Sequence, residues 1–249
     1  MKLIDTHAHL DEVKDVEGAL ARAREAGLRA IVGVGTDFVS NEKILRLADR
    51  FPGFVLPALG LHPWKLEGAD PEAHFRLIER ELPRCVGLGE VGLDFAIRTS
   101  RETQQEVLET LLTLAFRGRK PVLLHARRAW GEALGILQSS GVEKAVFHWY
   151  SGPSDILAAI MAGGYFISAT PAAAYSEKHR QAIRECPLDR LLLETDCPEV
   201  YRGKVSEPKE ILTALGSASE VRGMAPEEIA RQVYRNSLEF FQIPDPRGD

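Results

Sequence analysis

Eight short apolar runs, each followed by a longer stretch of helical or loop pattern, succeed one another from one end of the chain to the other. They are Lys2 to Thr6, Ala30 to Val34, Phe54 to Leu59, Cys85 to Leu88, Pro121 to Leu124, Lys144 to Phe147, Tyr165 to Ser168 and Arg190 to Leu193. Short apolar runs bounded by turn signals suit strands buried on both faces, and strands alternating with helices build a parallel sheet. Eight such units in 249 residues, with no linker between them, predict an α/β fold of one domain over residues 1–249, a (β/α)8 barrel. A doubly wound sheet would use about five to seven strands and a topological switch. The clearest helix is predicted from Ser100 to Arg117: Thr99 and Glu102 stand in capping-box spacing, Leu108, Leu111, Leu112 and Ala115 form a stripe, and Gly118 with Pro121 stops it. Two further helical patterns, Glu207 to Arg222 and Pro226 to Phe241, follow the eighth run.

Composition narrows the function classes. Hydrophobic residues at 45% and charged residues at 27%, without repeats, describe a folded chain rather than a disordered one. No run is long enough to span a bilayer, and an acidic residue stands where the apolar part of a signal peptide would begin, so a cytoplasmic chain with no membrane association is expected. Cys85, Cys186 and Cys197 are too scattered for a disulfide framework or a Cys-x-x-Cys metal site, and read as buried packing residues in a reducing compartment. A net charge of -5 argues against a broad basic face for duplex nucleic acid, while leaving room for an anionic substrate at one local site. No obligate protein partner is implied.

In such barrels the chemistry lies at the carboxyl ends of the strands. The first run leads into Thr6-His7-Ala8-His9, and side chains two apart on an extended chain point the same way, so His7 and His9 can share one metal ion. Glu90 closes the fourth run, His125 the fifth, His148 the sixth and Asp196 the eighth. Singly, each has an ordinary structural reading: a capping Asp, or a satisfied core His. Together they bring four histidines and two carboxylates to one mouth, where leaving them unpaired is costly and divalent cations would satisfy them. Imidazole and carboxylate ligands suit zinc, iron, manganese or magnesium, and a carboxylate can bridge two ions, so a two-metal site is expected.

The segments Asp5-Thr-His-Ala-His-Leu, Gly60-Leu-His-Pro, Gly89-Glu-Val-Gly-Leu-Asp, Pro121-Val-Leu-Leu-His, Phe147-His and Leu193-Glu-Thr-Asp-Cys-Pro resemble, in order, the motifs of the TatD family of metal-dependent deoxyribonucleases, a branch of the amidohydrolase superfamily. The resemblance runs from residue 3 to about residue 240. It implies a metal-bearing barrel that hydrolyses phosphodiester bonds, with His7, His9, Glu90 and Asp196 on one ion and Glu90, His125 and His148 on the other. Departures fall in loops: Arg128 stands at a commonly acidic position, Trp64 where the family often has His, and Cys197-Pro198-Glu199 where Ser-Pro is frequent. An Arg-Asn-x-Pro run usual beyond the eighth strand is reduced to Ser206-Glu207-Pro208.

Around this core the reading is less specific. His62 reads as a group behind the ligands or a substrate contact, or else as a loop histidine packed on Trp64; Arg127 as a phosphate clamp or a solvated helix-start residue. His74 and His179, in helical stretches, are expected on the solvated surface, and Trp149 and Tyr150 beside the site as possible base-stacking groups. Arg98, Arg101, Arg127, Arg128, Arg202 and Lys204 are expected around the mouth, making it positive despite the acidic whole. Gly87-Leu-Gly89-Glu-Val-Gly92 has dinucleotide-loop spacing, but no helix pattern begins at Gly92; no Gly-x-Ser-x-Gly elbow occurs. The expected mechanism is metal-activated hydrolysis with Asp196 as ligand and general base, most readily of DNA ends or unpaired strands. A phosphodiesterase for a non-DNA substrate, hydrolysis of a small ester or amide, and a non-enzymatic binding barrel are the alternatives.

Overall fold

Eight parallel strands pair with one another in chain order: β1 (Leu3–Ala8), β2 (Leu28–Val34), β3 (Val55–Leu59), β4 (Gly87–Asp94), β5 (Val122–Arg127), β6 (Ala145–Phe147), β7 (Phe166–Ala169) and β8 (Leu191–Leu193). The structure, a computed structural model, describes residues 1–245. Helices α1 (Val16–Glu25), α2 (Phe38–Arg50), α3 (Pro71–Glu81), α4 (Arg101–Gly118), α5 (Trp130–Ser140), α6 (Ser154–Ala162) and α7 (Glu177–Glu185) separate the strands. After β8 come a two-stranded hairpin, β9 (Val200–Tyr201) and β10 (Lys204–Val205), and then α8 (Ile211–Arg222) and α9 (Pro226–Phe241).

No ladder joins β1 to β8; the seam is closed by discrete hydrogen bonds. Thr6 Oγ1 donates to the Leu193 carbonyl at 2.9 Å, and the buried Asp5 carboxylate accepts from the Thr195 amide at 2.9 Å and its hydroxyl at 2.5 Å. One step further, the Asp196 amide donates to the His7 carbonyl at 2.9 Å and the His9 amide to the Cys197 carbonyl at 2.8 Å. Closure and site construction are therefore the same set of contacts.

Side chains alternate across the barrel wall. Val32, Val34, Leu123, Val146 and Leu192 form one cluster with Phe240 and Phe241 of α9, whereas their neighbours Ile31, Leu124, Phe147, Leu191 and Leu193 belong to the larger cluster shared with the helices. Counting in twos from the first cluster leads from Leu123 to His125 and Arg127, from Val146 to His148, and from Leu192 to Glu194 and Asp196. The chemistry-bearing residues continue the inward face where the apolar filling stops.

That continuation explains where the expected boundaries fail. β1, β4 and β5 run past the ends of the expected apolar runs to Ala8, Asp94 and Arg127, because inward positions turn polar at the mouth without leaving the strand. Leu93, beyond the fourth apolar run, is in β4, which also runs straight through Gly92 and leaves no nucleotide loop. α4 is capped by Ser100, whose hydroxyl accepts from the Thr103 amide, rather than by Thr99, and Gly118 is its last residue, the left-handed cap being Arg119 (φ 51°). Residues 208–210 form a 3-10 turn ahead of α8, so the helix predicted from Glu207 begins at Ile211.

His74 and His179 are buried, not solvated. His179 Nδ1 donates to the Tyr150 carbonyl at 2.7 Å while Nε2 accepts from the Thr170 amide at 3.1 Å; His74 bonds the Asp70 carbonyl at 2.7 Å. A neutral imidazole offers one donor and one acceptor, so His179 satisfies two backbone groups that helix α7 brings within reach. The three cysteines are buried and free, as expected, and burial pushes the Cys85 and Cys186 thiols up to about 12. Among the described residues no helix is long and apolar enough to cross a membrane.

Candidate metal centre

Glu90 stands at the centre of the mouth with its two oxygens turned to different partners. Oε2 lies 3.3 Å from His7 Nε2 and 3.3 Å from His9 Nε2, while Oε1 lies 2.8 Å from His125 Nδ1, 2.9 Å from His148 Nε2 and 3.3 Å from His62 Nε2. Asp196 Oδ1 completes the first set, 3.3 Å from His9 Nε2 and 3.6 Å from His7 Nε2. All six residues picked out at the strand ends converge, and His62 joins them.

The outward nitrogen of three imidazoles is fixed by its bonding. His9 Nδ1 donates to the Val34 carbonyl at 3.2 Å, His125 Nε2 to Asp94 Oδ2 at 3.4 Å and His148 Nδ1 to Glu194 Oε1 at 3.3 Å. Each therefore presents a lone pair inward, the arrangement by which carboxylates and carbonyls orient metal-binding histidines. As a result His125 Nδ1 and His148 Nε2 stand 3.2 Å apart, and His7 Nε2 and His9 Nε2 3.3 Å apart, with carboxylate oxygens beside them. Acceptors crowd together in this way only around a proton or a cation. Among the described residues no Lys or Arg is buried, although Asp5, Glu90, Asp94, Glu194 and Asp196 all are. The donor set fits divalent cations, and among the described residues three groups of side chains could hold a metal ion: His7, His9 and Asp196; His62, Glu90 and His125; and His7, His148 and Glu194.

The proton affinities carry the same message. Burial drives the imidazoles of His9, His125 and His148 towards neutrality, yet hydrogen bonds and charge from Asp196, Glu90, Asp94 and Glu194 raise all three. Burial likewise opposes ionisation of Glu90 and Asp196, but the surrounding histidines hold both low, Glu90 well below the usual carboxylate range. His62 goes the other way: burial pushes it down to about 4 despite the attraction of Glu90. Its Nδ1 accepts from the Trp64 amide at 3.2 Å, so Nε2 carries the hydrogen that faces Glu90. Its ring also packs edge-on against Trp64 at 4.9 Å, as the loop-histidine reading expects.

Asp94 and Glu194 carried no expected role. Asp94, fully buried, receives His125 Nε2, the Trp64 indole N–H at 2.6 Å and the Ala96 amide at 2.8 Å, and lies 3.9 Å from Arg127 Nη1. Its two-residue spacing from Gly92 and Glu90 was the available signal, since it repeats the inward period. Glu194, two before Asp196, accepts from His148 and from the Trp149 amide at 3.0 Å.

A cleft of about 580 Å³ opens over Glu90, His125, His148 and Asp196. The basic residues lining it are Arg127 and Lys65; the other five expected at the mouth do not. Arg101 stacks on Phe95, Arg202 on Tyr175, and Lys204 pairs with Glu210 at 2.7 Å, so local partners draw these chains aside. Tyr150 is buried with its hydroxyl on the Pro153 carbonyl and offers no stacking face, whereas Trp149 lines the cleft.

Residues 4–242 match the family model described as TatD related DNase. The chain belongs to the TatD family. It is 32% identical to human deoxyribonuclease TATDN3 over 96% of this chain and 94% of that one. It is 31% identical to the 3'-5' ssDNA/RNA exonuclease TatD of Pantoea vagans, over 92% and 94%. The crystal structure of YjjV, a TatD homologue from Escherichia coli K12, superposes with a TM-score of 0.89 at 31% identity, covering 97% of this chain and 98% of that one. As in other members of the TatD family, the barrel is eight parallel strands with helices between them.

Proposed function

We propose that this chain is a divalent-metal-dependent deoxyribonuclease that hydrolyses phosphodiester bonds at ends or unpaired strands of DNA. The division of Glu90 between two sets of inward-facing donors carries the reading. His7, His9, Glu90 and Asp196 would hold one ion, and Glu90, His125 and His148 a second, with magnesium, manganese, zinc and iron all compatible with the ligands. When bound, such ions supply the charge that neutralises a phosphodiester and the acidity that makes water a nucleophile near pH 7.

The chain's own groups do the rest. Asp196 keeps Oδ1 on His7 and His9 and borders the cleft, so its carboxylate is the base that takes a proton from water arriving there. Asp94 and Glu194 hold the imidazoles of His125 and His148 in one tautomer, and His62 steadies Glu90 through Nε2. Arg127, more than half exposed on the cleft wall, reaches a phosphate with its planar fork. The curated relatives named as deoxyribonuclease and exonuclease support a nucleic acid substrate. Three buried free thiols suit a reducing compartment, which supports a cytoplasmic location.

The test is a substrate panel of single-stranded DNA, blunt duplex, RNA and simple esters, run after chelation and after return of single metals. DNA hydrolysis that disappears with chelation and returns with metal is expected. Ester hydrolysis with no action on any nucleic acid would move the assignment to small substrates.

A further inference from the structure

The chain has three tryptophans, and all three line the cleft above the metal centre. Trp130, at the start of α5, leans on Tyr150 at 6.0 Å, and Trp149 on Tyr201 at 5.5 Å; both are half-buried and form walls. Trp64 differs. It is 55% exposed, although an indole is among the costliest side chains to leave in water.

Trp64 is also held in place. Its Nε1 donates to the buried Asp94 at 2.6 Å, its backbone amide is bonded to His62, and its ring meets His62 and His125 at steep angles of 82° and 75°. The polar edge of the indole is thus tied inward, and apolar surface remains open on the cleft. A flexible surface aromatic would lose conformational freedom on gripping a ligand; this one has lost it already.

The same Asp94 oxygen that anchors the indole at 2.6 Å lies 3.4 Å from His125 Nε2 and 3.9 Å from Arg127 Nη1. One buried atom therefore ties together an aromatic surface, an imidazole of the metal centre and a guanidinium. A flat apolar ring next to a phosphodiester is the chemistry of an unpaired nucleotide. Bases inside a duplex have both faces covered by their neighbours, so only a free end or a single strand can offer one.

We propose that Trp64 is a specificity-determining residue, the platform on which an unpaired nucleobase stacks while its phosphate lies between Arg127 and the metal centre. The proposal rests on the nuclease reading and adds to it a requirement for a base at one position. Hydrolysis by the metal-loaded enzyme is compared on a single-stranded oligothymidylate and on an oligomer of equal length with tetrahydrofuran abasic units. Wild type prefers the oligothymidylate. Trp64→Ala raises KM for that substrate about tenfold relative to the abasic oligomer, while any loss of kcat from freeing Asp94 falls on both oligomers alike. Trp64→Phe keeps part of the preference, because a phenyl ring stacks but lacks the N–H that anchors the indole on Asp94. Titration with oligothymidylate quenches tryptophan fluorescence in wild type, and Trp64→Ala loses most of that quench. An unchanged ratio of the two KM values in Trp64→Ala overturns the stacking role while hydrolysis by wild type stands. No hydrolysis of either oligomer by wild type sinks the nuclease reading and this one with it.

Discussion

A β-carbon placed on Gly60 would lie 2.3 Å from the carbonyl oxygen of Glu90 and 2.6 Å from its nitrogen. Gly60, just past β3, is held from the other side by Asn41, which accepts from its amide at 3.1 Å and donates to its carbonyl at 2.8 Å. The strand carrying the central carboxylate thus lies against a position where only hydrogen fits, and backbone cannot step aside as a side chain can. Gly60→Ala is expected to cost about 1 to 3 kcal/mol of stability and to lower bound metal per chain by displacing Glu90. Urea unfolding and elemental analysis of the folded variant check both; full metal occupancy would show that Glu90 does not depend on this close approach.

Asp94 orients His125, so Asp94→Asn should weaken metal binding without unfolding the barrel. An amide can present its NH2 to His125 and reverse the tautomer, turning an N–H where a lone pair faced inward. Loss of such a partner costs about 10- to 100-fold in metal affinity. Metal titration of the chelated protein measures it, and equal affinity in variant and wild type would deny Asp94 its orienting role.

The barrel and its central residues were readable because they are local signals repeated. His7 and His9 announce themselves by spacing, and Glu90, His125, His148 and Asp196 by closing apolar runs. What escaped depends on distance through space. His179 lies on a helix whose pattern is polar, and only the fold shows that it faces the Tyr150 carbonyl and the Thr170 amide. Arg202 and Lys204 sit near the mouth along the chain but are captured by Tyr175 and Glu210. Asp94 is hidden because the apolar run Cys85 to Leu88 stops well short of it, so the run alone does not show that Glu90, Gly92 and Asp94 share a face.

Two substitutions separate holding metal from using it. Glu90→Gln replaces the carboxylate shared by both donor sets with a neutral amide, and should lose metal and activity together. Asp196→Asn removes one ligand from one set, and should retain at least one ion while turnover falls about 100-fold or more. Metal content and rate measured on the same preparations decide the matter. Wild-type turnover in metal-bound Asp196→Asn would reject Asp196 as the base.

Acid should loosen the fold through His179. Burial lowers its pKa below the ordinary 6.5, outweighing the help of the Tyr150 carbonyl. The unfolded chain then binds a proton that the folded one resists, so stability is fully present above about pH 6.5 and falls as pH drops below it. His179→Gln keeps a donor for Tyr150 and an acceptor for Thr170 but does not titrate. The stability gap between wild type and this variant, read by urea unfolding, should shrink from pH 7 to pH 5. Parallel declines would assign the acid sensitivity to other groups.

Binding should depend only weakly on salt. With net charge -5 and only Arg127 and Lys65 as basic residues on the cleft wall, the protein has few cations to set against a strand, and Lys65 is already 3.4 Å from Asp37. Each phosphate neutralised on a single strand contributes about 0.7 to the logarithmic salt slope, so two or three contacts give a slope near about 2, against about 10 for a protein that grips a long duplex. Arg127→Ala should lower the slope by about 0.7, because it removes one phosphate contact. Metal-loaded Asp196→Asn, titrated with single-stranded and blunt duplex DNA over a salt series, provides the measurement. A steep slope with tighter binding to internal duplex would mean a phosphate-tracking surface outside this cleft, and would remove the physical basis for preferring ends and unpaired strands.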